Sequence, residues 1–514
     1  MPQKSFGFLR SVFWPIHRSE SKKVVSMLVL LFLLCICYSI LRTLKDTVIL
    51  TAKESGAEAI PFLKVWGMLP GAFLMTWFYT RLSRWFSRDK VFYIMVSFFL
   101  SYFLLFAFVL YPNNERLHFH QLGDWLTTYL PGGFKGMIAL VRNWTFTSFY
   151  VISELWAVMV LTVLYWGYIN EISGVSQAKR TYGILNIGSN VAPILGGGLG
   201  LLFSQHISFG FFEGAADAWG QTLKQLICLV TILGCSAIGV FYWIQRSINQ
   251  EEDAKVADNQ GSCKPQKERL SMRESIRYIS KSPYLLCLAI VVLGYNISIN
   301  LTDVLWKEQL KRFFTDPNEM LAHMNQITMG IGVFATIGGL FFAFMVHRWG
   351  WTFPAILTPV IMLVLAIGFF SFLFFENILS SLAVSFFGLS SLACTVYFGS
   401  MQNCLSKAGK YSVFDASKEL AFLPLDAEAR LKGKAAIDGL GAGIGKSGAS
   451  LTYQGFIIIM GSVALSTPYV AMILVLVLSA WIYSVVFIGK QFKQISSPEQ
   501  EFVPVVSNVV ETTV

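Results

Sequence analysis

The stretch VSMLVLLFLLCICYSILRTLKDTVI, residues 25–49, decides the class of fold. A helix needs about 20 mostly apolar residues to cross the hydrocarbon core of a bilayer, so this stretch is long enough to span a membrane. It is too long for the apolar region of a signal peptide, and no small-residue cleavage site of the A-x-A type follows it. We therefore predict a transmembrane helix that is retained in the protein.

The remainder of the chain shares this apolar character. Of the 514 residues, 54% are hydrophobic and 14% are charged, whereas about 25% are charged in an ordinary soluble domain. The formal net charge is +10, but the basic residues lie between apolar blocks, which argues against a nucleic-acid partner. The eight cysteines lack disulfide or zinc spacing, so neither a metal nor a cofactor is predicted. The composition indicates a polytopic membrane protein.

Twelve apolar blocks of spanning length are separated by charged or turn residues. They lie near 25–49, 60–80, 91–111, 145–169, 183–205, 222–244, 284–306, 325–346, 352–374, 378–402, 441–464 and 467–489. The longest strongly polar stretch follows the sixth block, so we predict an all-α fold of twelve transmembrane helices in two six-helix halves. The predicted organisation is a cytoplasmic N-terminal segment (1–24), an N-terminal half (25–245), a cytoplasmic linker (246–282), a C-terminal half (283–490) and a cytoplasmic tail (491–514).

The distribution of lysine and arginine sets the predicted orientation, because positively charged loops stay in the cytoplasm. With the N-terminus inside, the segments predicted to be cytoplasmic hold 28 of the 40 basic residues, six of them in 404–434. Both termini are therefore predicted to be cytoplasmic.

A weak internal similarity supports two parallel halves. At an offset of 253 residues, Lys179 matches Lys432, Ile184 matches Ile437 and Gly188 matches Gly441. Halves related by an axis along the membrane normal are typical of the major-facilitator architecture, which holds its substrate near the midplane between them.

Ionisable residues inside the predicted spans are functional candidates, because each costs at least about 2.5 to 3.5 kcal/mol at mid-bilayer. Arg42, Lys45 and Asp46 lie on one face of the first helix. The fourth, seventh and eleventh spans carry Glu154, Asp303 and Lys446, and Asn296 and Asn300 precede Asp303 on the same side of its helix. These residues fall on helices that line the cavity of a two-half transporter, or on a close neighbour of them.

Each candidate also has a structural alternative. Lys45 and Asp46 are expected either to form the substrate site or to hold helices together as an internal pair. Glu154 and Asp303 are expected to act as gate partners, proton carriers or counter-charges to the lysines, since an acid repels an anionic substrate.

The other polar residues near the cavity have structural alternatives as well. Asn296 and Asn300 serve equally as interhelical hydrogen-bonding groups or as contacts to a base or ribose. Arg42 either binds phosphate or tunes the charge of its neighbours. Lys64, near the first outer loop, is expected to extend to the membrane interface.

The segment GIGKS, residues 443–447, invites a phosphate-loop interpretation that fails. The full pattern is G-x-x-x-x-G-K-[ST], but Leu440 takes the place of the first glycine and the segment opens an apolar helix. Lys446 is still expected to meet phosphate inside a cavity, where a low dielectric strengthens the attraction.

The candidate charges suggest a competition mechanism. We assign Lys45, Lys446 and Arg42 to phosphate binding, and Asp46, Glu154 and Asp303 to gating or counter-charge. In the empty protein the lysines are expected to pair with acids across the halves, and a polyphosphate then displaces those pairs. Such a carrier reorients readily only when loaded, so it exchanges substrates instead of leaking them.

Three long motifs carry a resemblance to a known family. They are LRTLKDTVILTAKESGAEAIPFLKVWGMLP (41–70), INLTDVLWKEQLK (299–311) and SKELAFLPLDAEARLKGKAAIDGLGAGIGKSGASL (417–451). In these motifs, and over essentially all twelve spans, the chain resembles the nucleotide transporters of the bacterial and plastid type, the ATP/ADP antiporters of obligate intracellular bacteria. The resemblance implies that Lys45, Glu154, Asp303 and Lys446 take part in transport, although the family often has Glu where this chain has Asp303.

The resemblance implies a function and a location. We expect uptake of host ATP against bacterial ADP across the bacterial inner membrane, by a monomer embedded in the lipid bilayer, and phosphate export with ADP stays open. The alternatives are a proton-coupled nucleotide importer or another anion carrier of the major-facilitator type. A membrane-embedded enzyme is not expected, because the six histidines form no cluster in the sequence and no catalytic residue is assigned.

Overall fold

The computed structural model describes residues 18–172, 175–205, 217–246, 282–425, 433–434, 436–438, 445 and 447–496. The regular secondary structure within these ranges is helical throughout. Lys446 lies outside the described residues, as do Lys432 and Gly441 of the internal match.

Ten helices within the described ranges are long and apolar enough to cross a membrane. They are α1 (Glu20–Thr51), α2 (Ala59–Trp85), α3 (Arg88–Leu110), α4 (Trp144–Asn170), α5 (Thr181–Ser204), α6 (Ala218–Ile244), α7 (Pro283–Phe313), α8 (Pro317–Trp349), α9 (Thr352–Phe374) and α12 (Val463–Lys493). Helix α10 is a pair, Glu376–Phe387 and Ser391–Ala421, bent by 75°, and α11 (Ala449–Met460) is shorter. Each of the twelve predicted blocks overlaps one of these helices, and the prediction of an all-α polytopic membrane protein is confirmed.

The tenth block is longer than predicted. The sequence pattern ends it near residue 402, but the second segment of α10 continues to Ala421. Lys407 and Lys410, counted with the cytoplasmic basic residues, therefore lie within this helix. Their assignment to a cytoplasmic loop is wrong, because both residues belong to the helix.

Local sequence signals explain where several helices begin. Ser282 caps α7 by accepting a hydrogen bond from the Leu285 amide, and Pro283 takes the first turn. Asp316 and Pro317 begin α8 in the same way. A polar cap satisfies an amide that has no partner inside the helix, and proline is tolerated at the first turn because its missing N–H is not needed there.

The two halves meet along α5 and α8, where small residues let the backbones approach. A Cβ atom on Gly197 would lie 2.7 Å from the carbonyl oxygen of Asn325, and one on Gly332 would lie 2.9 Å from that of Asn190. Small residues drive helix association in membranes because they permit this close packing.

Two hydrogen bonds between the halves are related by the internal symmetry. Thr43 of α1 donates to Asn325 Oδ1 of α8 over 2.9 Å, and Lys64 of α2 donates to Asn300 Oδ1 of α7 over 2.7 Å. Since each helix corresponds to the helix six places later, the pair α1–α8 corresponds to the pair α7–α2. The arrangement matches the parallel halves of the major-facilitator architecture.

Further contacts join the halves at the end where α1 terminates, called here the outer end because the sequence predicts that α1 begins in the cytoplasm. Gln454 of α11 donates to the Pro61 carbonyl over 2.8 Å and accepts from the Trp66 indole over 3.3 Å. Lys311 of α7 donates to the Ser55 carbonyl. These contacts join the two halves at the outer end.

Residues 111–143, between α3 and α4, form what we call the outer cap. It contains the short helices Asn114–Leu117, His120–Tyr129 and Lys135–Arg142. Gly133 packs so tightly against α11 that an added Cβ would lie 2.5 Å from the Ile458 Cα atom. The outer cap thus belongs to the N-terminal half and touches the C-terminal half.

Candidate functional site

A cavity of about 370 Å³ lies between the halves, within the usual range for ligand sites of about 300 to 1,000 Å³. Helices α1, α2, α4, α7, α10 and the chain just before α11 line it. The lining residues are Tyr38, Arg42, Lys45, Asp46, Lys64, Met68, Leu69, Ala72, Tyr150, Glu154, Val158, Tyr295, Asn296, Ile299, Asn300, Asp303, Lys307, Lys407, Lys410, Tyr411 and Ser447. It therefore has a polar and charged wall as well as an apolar one.

The charged wall begins in the N-terminal half. Lys45 Nζ lies 3.0 Å from Asp46 Oδ1 and 3.3 Å from Glu154 Oε2. The same ammonium lies 3.8 Å from the ring centroid of Tyr150, a cation–π contact that adds to its stabilisation. Lys45 is thus satisfied by groups of its own half.

The charged wall continues into the C-terminal half through Lys307. Its Nζ lies 2.8 Å from Asp46 Oδ2 and 2.9 Å from Asp303 Oδ2. The other oxygen of Asp303 lies 3.2 Å from Lys407 Nζ and accepts a hydrogen bond from Asn403 over 2.9 Å. Lys307 therefore joins the two halves by an ion pair.

Together these residues form an unbroken series of alternating charge, called here the ion-pair chain. Its members in order are Glu154, Lys45, Asp46, Lys307, Asp303 and Lys407. Its central members are buried, Lys45 and Lys307 each being 3% exposed. A buried charge is tolerated only when it is paired, so the removal of one member leaves its neighbours uncompensated.

Three further cations line the cavity but lie outside this chain. Among the described residues, Arg42, Lys64 and Lys410 have no carboxylate in ion-pair contact. Lys64 donates to the neutral Asn300, and Lys410 lies 5.3 Å from the Tyr295 ring centroid. We call Arg42, Lys64 and Lys410 the free cations.

The structure brings together most of the residues that the sequence singled out. Those that line the cavity are Arg42, Lys45, Asp46, Glu154, Asn296, Asn300 and Asp303. Lys446 lies outside the described residues, although its neighbour Ser447 lines the cavity. Asn296 and Asn300 both donate to backbone carbonyls one turn earlier in α7.

Four basic residues of the cavity were missed by the sequence reasoning. Lys307 is one turn after Asp303 on the same helix face, a spacing that could have revealed it. Lys407 and Lys410 lie in the part of α10 after residue 402, which the sequence pattern does not predict to be part of the tenth span. Lys64 was expected at the membrane interface, but it points to α7 of the other half.

The acids of the site face lysines and not one another. Within the described residues, no group of three or more His, Cys, Asp or Glu side chains is placed to hold a metal ion. The arrangement is suited to binding an anion, because cations outnumber carboxylates in the described lining of the cavity.

The chain is similar to known proteins over most of its length. The profile of the family described as TLC ATP/ADP transporter matches residues 1–492. ADP,ATP carrier protein 1 of Chlamydia muridarum is 40% identical over 500 residues, which cover 97% of this chain and 94% of that protein. ADP,ATP carrier protein 1, chloroplastic, of Arabidopsis thaliana is 37% identical over 93% of this chain and 75% of its own length.

A D-xylose–proton symporter superposes with a TM-score of 0.48 and 12% identity, over 91% of this chain and 97% of that one.

Proposed function

The chain belongs to the TLC ATP/ADP transporter family, and from this premise we propose that it exchanges ATP for ADP across a membrane by alternating access. The nucleotides bind in the cavity between the halves, and the halves rock around it. The finer proposal is uptake of host ATP against bacterial ADP, with or without phosphate, across the bacterial inner membrane, by a monomer whose termini are cytoplasmic. Nothing in this transport requires an enzymatic step.

The observation that carries the proposal is the charge of the cavity. Its described lining holds six cations and three carboxylates, a formal excess of three positive charges. A nucleoside polyphosphate supplies the missing negative charge, and the low dielectric of a membrane protein strengthens the attraction. A neutral sugar would leave the excess uncompensated.

The ion-pair chain offers a mechanism that couples binding to movement. We assign phosphate binding to Lys45, Lys446 and Arg42, and gating or counter-charge to Asp46, Glu154 and Asp303. A polyphosphate that draws lysines away from their carboxylates weakens the chain that joins the halves. Reorientation then follows occupancy, which favours exchange over leak.

The nucleoside is assigned to the remaining polar groups. Asn296 and Asn300 line the cavity; their amide nitrogens donate to backbone carbonyls of α7, and Asn300 Oδ1 accepts a hydrogen bond from Lys64. Amides recognise the donor and acceptor pattern of a base or ribose.

Counter-exchange in liposomes tests the function. Purified protein is reconstituted, labelled ATP is added outside, and the lumen contains ADP, ADP with phosphate, or no nucleotide. We expect rapid uptake only into liposomes that contain ADP, and no effect of a protonophore. Equal uptake into empty liposomes would overturn exchange, and abolition by the protonophore would instead support a proton-coupled importer.

A further inference from the structure

The six cations in the described lining of the cavity form two groups that differ in both partner and position. Lys45, Lys307 and Lys407 belong to the ion-pair chain, whereas the free cations, Arg42, Lys64 and Lys410, do not. The difference concerns what an incoming anion must displace. A paired lysine has to give up a buried carboxylate, but a free cation does not.

The free cations also lie on one side of the ion-pair chain. Arg42 is four residues before Asp46 in α1, so it lies about 6 Å nearer the end where α1 begins. Helix α10 runs in the opposite direction, so Lys410, three residues after Lys407, lies about 4.5 Å toward the same end. An anion entering from the predicted cytoplasmic side therefore meets Arg42 and Lys410 before the chain.

Lys64 of α2 is the third cation on this side of the ion-pair chain. Its partner Asn300 lies three residues before Asp303 in α7, again on the cytoplasmic side of the chain. The bond from Lys64 to Asn300 joins the N-terminal half to the C-terminal half. A phosphate oxygen is a stronger acceptor for an ammonium than a neutral amide oxygen, because both partners are then charged.

We propose that Arg42, Lys64 and Lys410 form the first-contact subsite for the phosphate chain of the nucleotide, and that phosphate takes the place of Asn300 as the partner of Lys64. The inference rests on the proposed function and makes it more specific. The subsite holds the polyphosphate before any ion pair opens, and the loss of the Lys64–Asn300 bond removes one link between the halves. Lys45 and Lys307 act afterwards, when the chain itself opens.

Binding of ATP, ADP and AMP to the purified protein tests this subsite. The variants are R42Q, K64Q and K410Q, with K53Q as the control, because Lys53 is exposed and lies outside the cavity. We expect each of the three variants to weaken ATP and ADP binding by about tenfold or more, since a charge-assisted bond is lost. AMP, with a single phosphate, is expected to lose less, and K53Q is expected to behave as wild type.

The ratio of ADP to AMP affinity makes the result independent of the amount of folded protein. If the ratio in all three variants equals that of the wild type, the subsite is wrong even though nucleotide binds. If the wild-type protein binds neither ATP nor ADP, the proposed function itself fails. K64R and K410R retain the positive charge and are expected to keep the wild-type ratio of ADP to AMP affinity. A changed ratio in both variants would indicate a packing role and would also overturn the subsite.

Discussion

The two halves of the molecule contribute unequally to the contacts that hold them together. In the N-terminal half, Lys45 is paired with Asp46 and Glu154 of its own half. In the C-terminal half, Lys307 is shared between Asp303 of its own half and Asp46 of the other. One half satisfies its lysine internally, whereas the other uses its lysine to bind the two halves together.

Corresponding helices of the halves carry related charges. Asp46 of α1 and Asp303 of α7 are both acids, and both contact Lys307 in the ion-pair chain. Glu154 of α4 and Lys407 of α10 lie at its two ends and have opposite charge. The comparison indicates a symmetric framework in which the sign of a few charges determines which half supplies the link.

The outer ends of the halves also differ. The connection between α3 and α4 is the outer cap, residues 111–143, whereas α9 ends at Phe374 and α10 begins at Glu376. The N-terminal half alone therefore carries an insertion at this equivalent position, and this insertion reaches α11 through Gly133.

Removal of the shared lysine should have the largest effect. In K307Q, the Asp46 and Asp303 carboxylates lose their common partner, and breaking a buried pair costs about 3–5 kcal/mol. We expect ATP/ADP exchange in liposomes to be lost and the thermal stability of the purified protein to fall. K307R is the control and should keep much of the activity, and wild-type exchange by K307Q would refute the role of Lys307 as the link.

Neutralisation of the two ends of the chain should have a smaller effect. In E154Q, Lys45 keeps Asp46, and in K407Q, Asp303 keeps Lys307 and Asn403. A hydrogen bond to a charged group contributes about 1.5–3 kcal/mol, so we expect exchange rates to fall by about tenfold or more.

The burial of Glu154 and Lys407 predicts which of the two substitutions lowers the exchange rate more. The side chain of Lys407 is 15% exposed and that of Glu154 is 35% exposed. K407Q should therefore lower the exchange rate more than E154Q. A smaller loss in K407Q would show that burial does not determine the importance of the two end residues.

The seam between the halves offers a matched pair of glycines. A Cβ on Gly197 would lie 2.7 Å from the Asn325 carbonyl oxygen, whereas one on Gly198 has its nearest neighbour at 4.0 Å. Overpacking costs about 1–3 kcal/mol, so G197A should lower the melting temperature and slow exchange, and G198A should do neither. Equal behaviour of the two variants would contradict close packing of α5 on α8.

Loss of the outer contacts should shift a conformational balance without abolishing transport. Q454A removes two hydrogen bonds between the halves, each contributing about 1 kcal/mol. We expect the outward-open population to rise by about tenfold or more. The measurement is the rate at which a membrane-impermeant thiol reagent, added outside, labels the cysteine of I299C. The rate in I299C/Q454A is compared with the rate in I299C alone. Equal rates would mean that these contacts do not close the cavity.

The smallest expected effect at neutral pH concerns His118 of the outer cap. Burial lowers the pKa of His118 to about 4, so the folded protein holds this side chain neutral while the unfolded chain protonates it below about pH 6.5. Its contribution to stability is therefore present above pH 6.5 and is lost as the pH falls toward 4. Thermal unfolding should become less pH-dependent over this window in H118Q, and an unchanged slope would contradict the assignment.

Much of the fold follows from composition and periodicity. The apolar blocks of spanning length locate the helices, because a bilayer admits only segments that satisfy their own backbone hydrogen bonds. Burial cost then selects Lys45, Asp46, Glu154 and Asp303, and these side chains meet in the structure. Such inferences need no knowledge of which helices are neighbours.

The amino-acid sequence is sufficient to identify a helical membrane transporter with a few charges in its spans. The pairing of those charges follows only from the packing of the helices. Lys307 links the halves and Lys64 faces α7 because α1, α2 and α7 pack together around the cavity. Which cations are free depends on distances between helices far apart in sequence, and such distances are set by packing and not by local pattern.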